Sequence, residues 1–439
     1  MDRPTQQIVD YAIALRYADL DDYNLHAIKR RLVDTVACAL AAYPRQPAAV
    51  ARALATLAVS NPPAHVPISG APTTPDLAAY AGAFGVRYWD LNDTYLHGGH
   101  PSDTIPGILA IAETTNATGA DTLLALTIAY ETFCALSDAI GPVGTSAAGR
   151  IAIASAAGAS RLLGLDGERM ADAVSIAAVS TISQGIRGHG ALTMWRAGQA
   201  GNAARNGIFA ALTAQHGMGG PHEPFQTLGA AEQDELPSLG GRAAGSQLKA
   251  FPAEYHAQAA ISAAIDLRRQ IGLAAIKNID SVVVHTYGHA VAGIGSDPSV
   301  WEASDIDTAL HSMPFLVAAA LVWGDAPFIE ERHLKDTGVK RLMARTSVVE
   351  DPAITAVYHQ TVATRVEITT VDGIVRRAEC SQPLGHTANP FSDVELNAKF
   401  QRHAAGLLPP AQQARALQAM WSLGDLPGIA ALLESLRVS

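Results

Sequence analysis

Charge is scarce in this chain. Of its 439 residues only 16% are Asp, Glu, Lys or Arg, against roughly 25% in an ordinary soluble domain. Hydrophobic residues make up 49%, which excludes a disordered or collagen-like chain and leaves material for a large core. Cysteine is scarcer still: Cys38, Cys134 and Cys380 are too few and too far apart for a disulfide scaffold or a C-x-x-C pair. There is no basic surplus either. The formal charge of -10 leaves no electrostatic footprint for nucleic acid or anionic lipid, whose phosphates require clustered Lys and Arg. No apolar run reaches the roughly 18 residues of a membrane span, because Gly, Asp, Arg or Pro interrupts every candidate. The first residues, Met1-Asp2-Arg3-Pro4-Thr5-Gln6-Gln7, lack the basic head and apolar run of a signal peptide. Together these absences predict a cytoplasmic protein with reduced thiols, no membrane contact and no nucleic-acid partner. Any anionic partner would be a small molecule.

What is abundant is alanine, at 83 residues, a composition that favours closely packed helices. The length allows two to three domains at roughly 100–200 residues each. Leu25, Ile28, Leu32, Val33, Val36 and Leu40 return at three- and four-residue spacing, the mark of one apolar helix face. Similar spacing predicts helices over residues 76–88, 122–140, 151–163, 168–179, 199–216 and 254–271. Residues 152–160 are small all round, so their helix should have neighbours on every side. Near residue 278 the period changes. Residues 279–287 have strand character, and 365–369 face 374–379 around Asp372-Gly373, a strong hairpin-turn signal. Val348-Val349 suggests a further strand, while 308–323 reads as a helix, so this segment is α+β in character. From Ser392 to Val438 helical spacing returns, and an apolar helix pair there would rejoin the helical body better than cap the small segment. The expected fold is therefore mainly α: a large helical domain over 1–268, a smaller α+β segment over 269–392, and C-terminal helices over 393–439.

Routine catalytic signatures are missing: no G-x-S-x-G, no phosphate loop, no H-E-x-x-H. His97 with His100, and His285 with His289, lack a third ligand at familiar spacing, so no metal is expected. The richest stretch is Trp89-Asp90-Leu91-Asn92-Asp93-Thr94-Tyr95-Leu96-His97-Gly98-Gly99-His100-Pro101-Ser102-Asp103. It sets two His and three Asp side chains, Asp90, Asp93 and Asp103, in a Gly-bearing loop between helices, a common home for sites. A His within reach of a carboxylate suits general acid/base work near neutral pH. Against this stands a plainer possibility, that Asp93 and Asp103 cap helices and the His side chains are solvated. A second stretch, residues 194–207, places Arg196 and Arg205 at a Gly-rich helix start, where a carboxylate could bind; tight helix packing with Arg side chains bridging surface carboxylates explains it equally well. In the third, Lys249 precedes Phe251-Pro252, with Tyr255, His256 and Gln258 about a helical turn beyond.

Taken in order, these stretches resemble the MmgE/PrpD family, which includes 2-methylcitrate dehydratase, cis-aconitate decarboxylase and iminodisuccinate epimerase. The resemblance continues through Ser296-Asp297-Pro298, His311-Ser312-Met313-Pro314-Phe315, Asn389-Pro390-Phe391-Ser392-Asp393 and Lys399-Phe400, spanning nearly the whole chain. It is nearest to the 2-methylcitrate dehydratase-like branch, through Asn92-Asp93-Thr94-Tyr95 and His100-Pro101-Ser102-Asp103. It implies a helical domain built from both chain ends, an inserted α+β lid, a homodimer with its site in the cleft, and no metal or organic cofactor. By motif, Asp90, Thr94, His100 and Lys249 match the family's active-site positions, and Arg196 stands where many members have Lys. Tyr95, Ser102, His256, Gln258 and Phe315 are the accompanying substrate-binding candidates. Two departures stand out. A family His before the small-residue helix is absent from residues 141–148, and Phe315 replaces a usual Tyr.

The implied chemistry is proton removal α to a carboxylate of a small hydroxy di- or tricarboxylate, with loss of water from the next carbon. His100 would be the acid/base, Asp90 its partner, Thr94 a donor, and Arg196 and Lys249 carboxylate clamps. Epimerisation or decarboxylation in the same cleft passes through a similar carbanion-like species, and a non-catalytic binding protein is the third alternative.

Overall fold

The structure is a computed structural model that describes residues 1–95, 98–140, 147–181, 192–227 and 235–438. Among the described residues the first part is carried mainly by the helices α1 (Arg3–Ala14), α2 (Asp22–Ala42), α3 (Gln46–Ala55), α4 (Pro75–Arg87), α5 (Ile105–Thr114), α6 (Gly119–Ile140), α7 (Ala147–Leu162), α8 (Gly167–Ser180) and α9 (Trp195–Gln215). Their starts follow local chemistry. Asp21 caps α2 by accepting from the Asn24 N–H at 2.7 Å, and Pro75 opens α4 where no N–H is needed. α7 is the central helix, buried from Ala148 through Ser160, as its small residues predict. Glycine is what lets its neighbours come so close. A Cβ on Gly207 of α9 would lie 2.3 Å from the Ala152 carbonyl oxygen, and one on Gly158 2.7 Å from that of Ala125 in α6.

The second part is built on a four-stranded mixed sheet. Its strands are β1 (Ile279–Thr286), β2 (Thr346–Glu350), β3 (Thr364–Thr370) and β4 (Val375–Cys380), in the order β2-β1-β3-β4. β1 pairs parallel with β2 (Val284 opposite Val348) and antiparallel with β3 (Val284 opposite Val366). β3 and β4 form the expected hairpin, with Gly373 at φ 79° in its turn. Alternation along β1 buries Ile279, Val282, Val284 and Thr286, on the side covered by α10 (Gln258–Ile271) and α11 (Met313–Trp323). Both helices begin later than spacing predicts. Residues 255–257 form a 3-10 turn before α10, and the Ser312 hydroxyl caps Phe315 N at 3.1 Å to start α11.

The chain then returns. Ser392 and Glu395 form a capping box that starts α12 (Asp393–Ala404), which lies on α2 and is followed by α13 (Pro410–Trp421). Among the described residues two large apolar cores result, one in the helical body that includes Leu396 and Phe400, the other under the sheet. Trp89 and Leu91 belong to the sheet-side core, while Leu248 belongs to the helical one. Asp90 and Lys249 therefore sit where the two cores meet. Among the described residues no helix is long and apolar enough to cross a membrane.

Candidate active site

Asp90 is the hub. It follows α4 by three residues with φ 50°, a left-handed backbone that costs a non-Gly residue about 1–3 kcal/mol unless its surroundings over-determine it. Here they do. Trp89 is buried and its indole N–H donates to the Ala41 carbonyl at 3.1 Å, and Leu91 is buried on the other side. The Lys249 ammonium, fully buried, donates to the Asp90 carbonyl at 2.7 Å and to its Oδ1 at 2.6 Å. Oδ2 lies 3.0 Å from His311 Nε2 and 3.8 Å from Arg196. Burial by itself opposes ionisation of Asp90, but Lys249, the His311 bond, His100 and Arg196 outweigh it and hold the carboxyl well below the usual carboxylate range. It is a carboxylate at neutral pH.

Two imidazoles flank it in opposite roles. His100 Nδ1 is 2.6 Å from the Asp93 carbonyl oxygen, which only accepts, so Nδ1 carries hydrogen and Nε2 keeps its lone pair. Burial, then the charges of Arg87 and Lys249, push this imidazole well below its ordinary pKa. Nε2 faces Asp90 Oδ1 at 3.6 Å, beyond a hydrogen bond, so the ring is oriented by the Asp93 backbone and the carboxylate lies on the side of the basic nitrogen. Asp93 is itself pinned, its carboxylate accepting from Ser102 N at 3.1 Å and Tyr130 OH at 3.2 Å. His311 differs. Its Nδ1 faces the Asp307 carbonyl at 2.9 Å and its Nε2 the Asp90 carboxylate at 3.0 Å, so both contacts are hydrogen bonds only when both nitrogens carry hydrogen.

The remaining candidates divide by what they touch. Thr94 pairs its backbone with Gln247, two residues before Lys249, and donates its hydroxyl to the Gly99 carbonyl at 3.3 Å, which ties the loop to the lysine's segment. Arg196 reaches the group, but Nε donates to Asp307 Oδ1 at 3.1 Å and the Nη atoms to the carbonyls of Arg87 and Tyr88 at 3.3 and 2.7 Å. Its guanidinium is committed to the protein, and through Asp307 it steadies the turn that aims His311. Ser102 is buried and accepts from Asn92 at 2.9 Å, while Tyr95 OH donates to Asp138 at 3.2 Å. Three others have their contacts elsewhere. Gln258 is spent on the backbone of Phe251 and Ala253. His256 accepts from or donates to Tyr287 OH at 2.6 Å within a cluster that includes Tyr358. Phe315 is buried in the sheet-side core, edge-on to Trp323 at 6.2 Å.

His97, and Thr145 and Ser146 at the first departure, lie outside the described residues. Asp93 does hold a helix start, because Ser102 lies in the 3-10 turn Pro101–Thr104, whereas Asp103 sits within that turn and faces Arg87, and His100 is partly buried with 13% of its side chain exposed. Sequence reasoning missed His311, whose motif was in view but whose approach to Asp90 depends on the tertiary fold. It also missed the pair Arg87–Asp103, where Nη2 stands 3.0 Å from Oδ2 as a charge contact without hydrogen-bond geometry. Among the described residues no group of three or more His, Cys, Asp or Glu side chains is arranged to hold a metal ion.

Fold and site together define a mainly α protein organised round a buried carboxylate, flanked by an ammonium and two imidazoles in different hydrogen-bonding roles. The chain belongs to the MmgE/PrpD family: residues 6–229 match the MmgE/PrpD N-terminal domain and 251–425 the MmgE/PrpD C-terminal domain. It is similar to the 2-methylcitrate dehydratase of Cupriavidus necator, 28% identical over 459 residues that cover 95% of this chain and 93% of the relative. The 2-methylcitrate dehydratase of Escherichia coli strain K12 is 28% identical over 455 residues, with the same coverage. A more distant relative is the cis-aconitate decarboxylase of Mus musculus, 24% identical over 372 residues, 76% of this chain and 72% of that protein.

Proposed function

We propose that this protein is a lyase that dehydrates a small hydroxy di- or tricarboxylate without a metal or organic cofactor. The observation that carries the reading is the pair of unlike imidazoles on one ionised carboxylate: His100 with a free Nε2 lone pair, His311 with a donor nitrogen on Asp90. His100 Nε2 takes the proton α to a substrate carboxylate, and the imidazolium so formed is stabilised by the Asp90 carboxylate 3.6 Å from that nitrogen. Charge building up on the substrate carboxylate is met by the Lys249 ammonium, two of whose N–H groups already hold Asp90. The bond to the β-hydroxyl breaks as that oxygen receives a proton from His311 Nε2, leaving an alkene and water. His100 then loses its proton to bulk water and His311 regains one from it, while Asp90 stays ionised between the two rings.

Relatives named 2-methylcitrate dehydratase support this reaction class. The departures argue for a different preferred substrate. The absence of the family His from residues 141–148 removes a polar group that could meet a substrate carboxylate, so 2-methylcitrate is at best a poor substrate; Phe315, which lacks the usual Tyr hydroxyl, packs on Trp323 in the sheet-side core and adds little to that preference. A relative named cis-aconitate decarboxylase supports a second reading, in which the same groups stabilise a carbanion formed by loss of carbon dioxide. Incubation with a panel of 2-methylcitrate, smaller hydroxy-dicarboxylates, iminodisuccinate and cis-aconitate, followed by product analysis, tests both. An alkene product with release of water supports the lyase; carbon dioxide supports the second reading; turnover of none defeats the enzymatic one.

We further infer a cytoplasmic homodimer whose lid is residues 269–392. Met194, Trp195 and Phe209 on and beside α9 are exposed large apolar side chains of the kind a partner copy covers. Light scattering coupled to size exclusion should return about twice the chain's 45.8 kDa.

A further inference from the structure

Behind the Asp90–Lys249 pair stands a second buried lysine. Lys399 of α12 is 4% exposed, and its ammonium donates to Asp34 Oδ1 at 2.6 Å, to the Lys249 carbonyl at 2.8 Å and to the Leu91 carbonyl at 3.4 Å. Those acceptors come from α2, from the segment carrying Lys249 and from the turn carrying Asp90. Two ammonium groups thus act in series. Lys249 holds the Asp90 carbonyl and carboxylate, while Lys399 holds the next carbonyl and that of Lys249 itself. Each backbone position on which the Asp90–Lys249 geometry depends is tied to a charge.

A purely structural role for the Asp34–Lys399 pair is a weak account of it. Removing two charges from water is costly, and apolar residues of the same volume often hold two elements together as well or better. An apolar pair between α2 and α12 would not donate to the carbonyls of Lys249 and Leu91. The left-handed Asp90 needs such outside restraint.

We propose that Lys399 is a positioning residue for the reaction: it fixes Lys249 and the Asp90–Leu91 turn in the geometry that proton transfer requires. The proposal rests on the lyase reading above. It is tested with Lys399→Met and with the double variant Asp34→Asn/Lys399→Met, in which no buried charge is left unpaired. The single variant should lose both stability and turnover. The double variant should melt close to the native protein yet keep a kcat lowered by about tenfold to a hundredfold, the scale set by small misplacements of reacting groups, with a smaller change in KM. A folded double variant with native kcat overturns the proposal. Should the double variant not fold, Lys399→Arg, which keeps the charge but moves the donors, is read by the same criterion. A second readout needs no substrate. In ¹⁵N-histidine-labelled protein the His100 ring should titrate at higher pH in the variant, because Lys249 is no longer held against it. If the native protein turns over none of the polycarboxylates, the lyase reading fails and this titration alone decides: unchanged, it overturns the positioning role; moved, it supports it.

Discussion

Asp90 and Asp103 are two buried carboxylates in one loop, and they behave in opposite ways. Asp90 is surrounded by Lys249, His311, His100 and Arg196 and is held well below the usual carboxylate range. Asp103 meets the Asn92 amide at 3.1 Å and a poorly aligned Arg87, with Asp93 and Asp90 as like-charged neighbours, and burial pushes it up to about 7. Residue type and burial are the same. The difference lies in how many donors the fold brings to each, which makes one a permanent anion and the other a group that titrates near neutrality.

The sharpest way to break this comparison is to remove what distinguishes Asp90. Lys249→Met leaves a buried carboxylate without its main partner, so the protein should lose about 3–5 kcal/mol of stability in denaturant melts and nearly all turnover. A native melting curve would show that Asp90 is not held by the ammonium. His100→Ala and Asp90→Asn should each lower kcat by on the order of a hundredfold or more while the chain stays folded. Steady-state kinetics beside circular dichroism checks this, and near-native rates in both variants would remove His100 from the mechanism.

Linkage sharpens the contrast further, because the two carboxylates slope in opposite directions. The raised pKa of Asp103 means that its contribution to stability is complete below about 4 and falls away as the pH rises through about 7. That of Asp90 is present above about 4 and is lost on acidification toward its lowered folded value. Stability measured from pH 4 to 8 for the native protein and Asp103→Asn should therefore differ by a slope that disappears in the variant, on the order of a few kcal/mol across the interval. Parallel curves would show that Asp103 does not titrate there. The smallest effect expected is none: dialysis against a chelator should leave activity unchanged. Loss of activity that one transition metal restores, with that metal present stoichiometrically, would overturn the metal-free reading.

Much of the architecture was legible because it depends on neighbours in sequence. The Asp372-Gly373 turn, the small residues of α7 and the apolar face of α2 each announce their element through local periodicity or a special backbone need. The loop around Asp90 was legible for the same reason, as a dense run of His and Asp near Gly. His311 was not. It stands before a helix like many polar residues, and only the packing of α11 against the turn after α4 places its ring on Asp90. Arg196 shows the reverse: a cation at a Gly-rich helix start looks available to a ligand, yet the fold surrounds it with Asp307 and two carbonyl oxygens.

The sequence by itself determined which segments are helical, where the hairpin turns, that the chain carries a net charge of -10, and which loop holds the titratable residues. Those follow from side-chain shape, backbone freedom and composition, which act over a few residues. Only the tertiary structure decided that Asp90 is an anion while Asp103 titrates near 7, that His100 and His311 face one carboxylate with opposite hydrogen-bonding roles, and that Lys399 reaches back from α12 to the Lys249 carbonyl. Charge state and proton direction depend on burial and on partners within a few ångströms, and those partners come from α2, α4, α9, α12, the turn before α11 and the segment carrying Lys249, which only folding brings together.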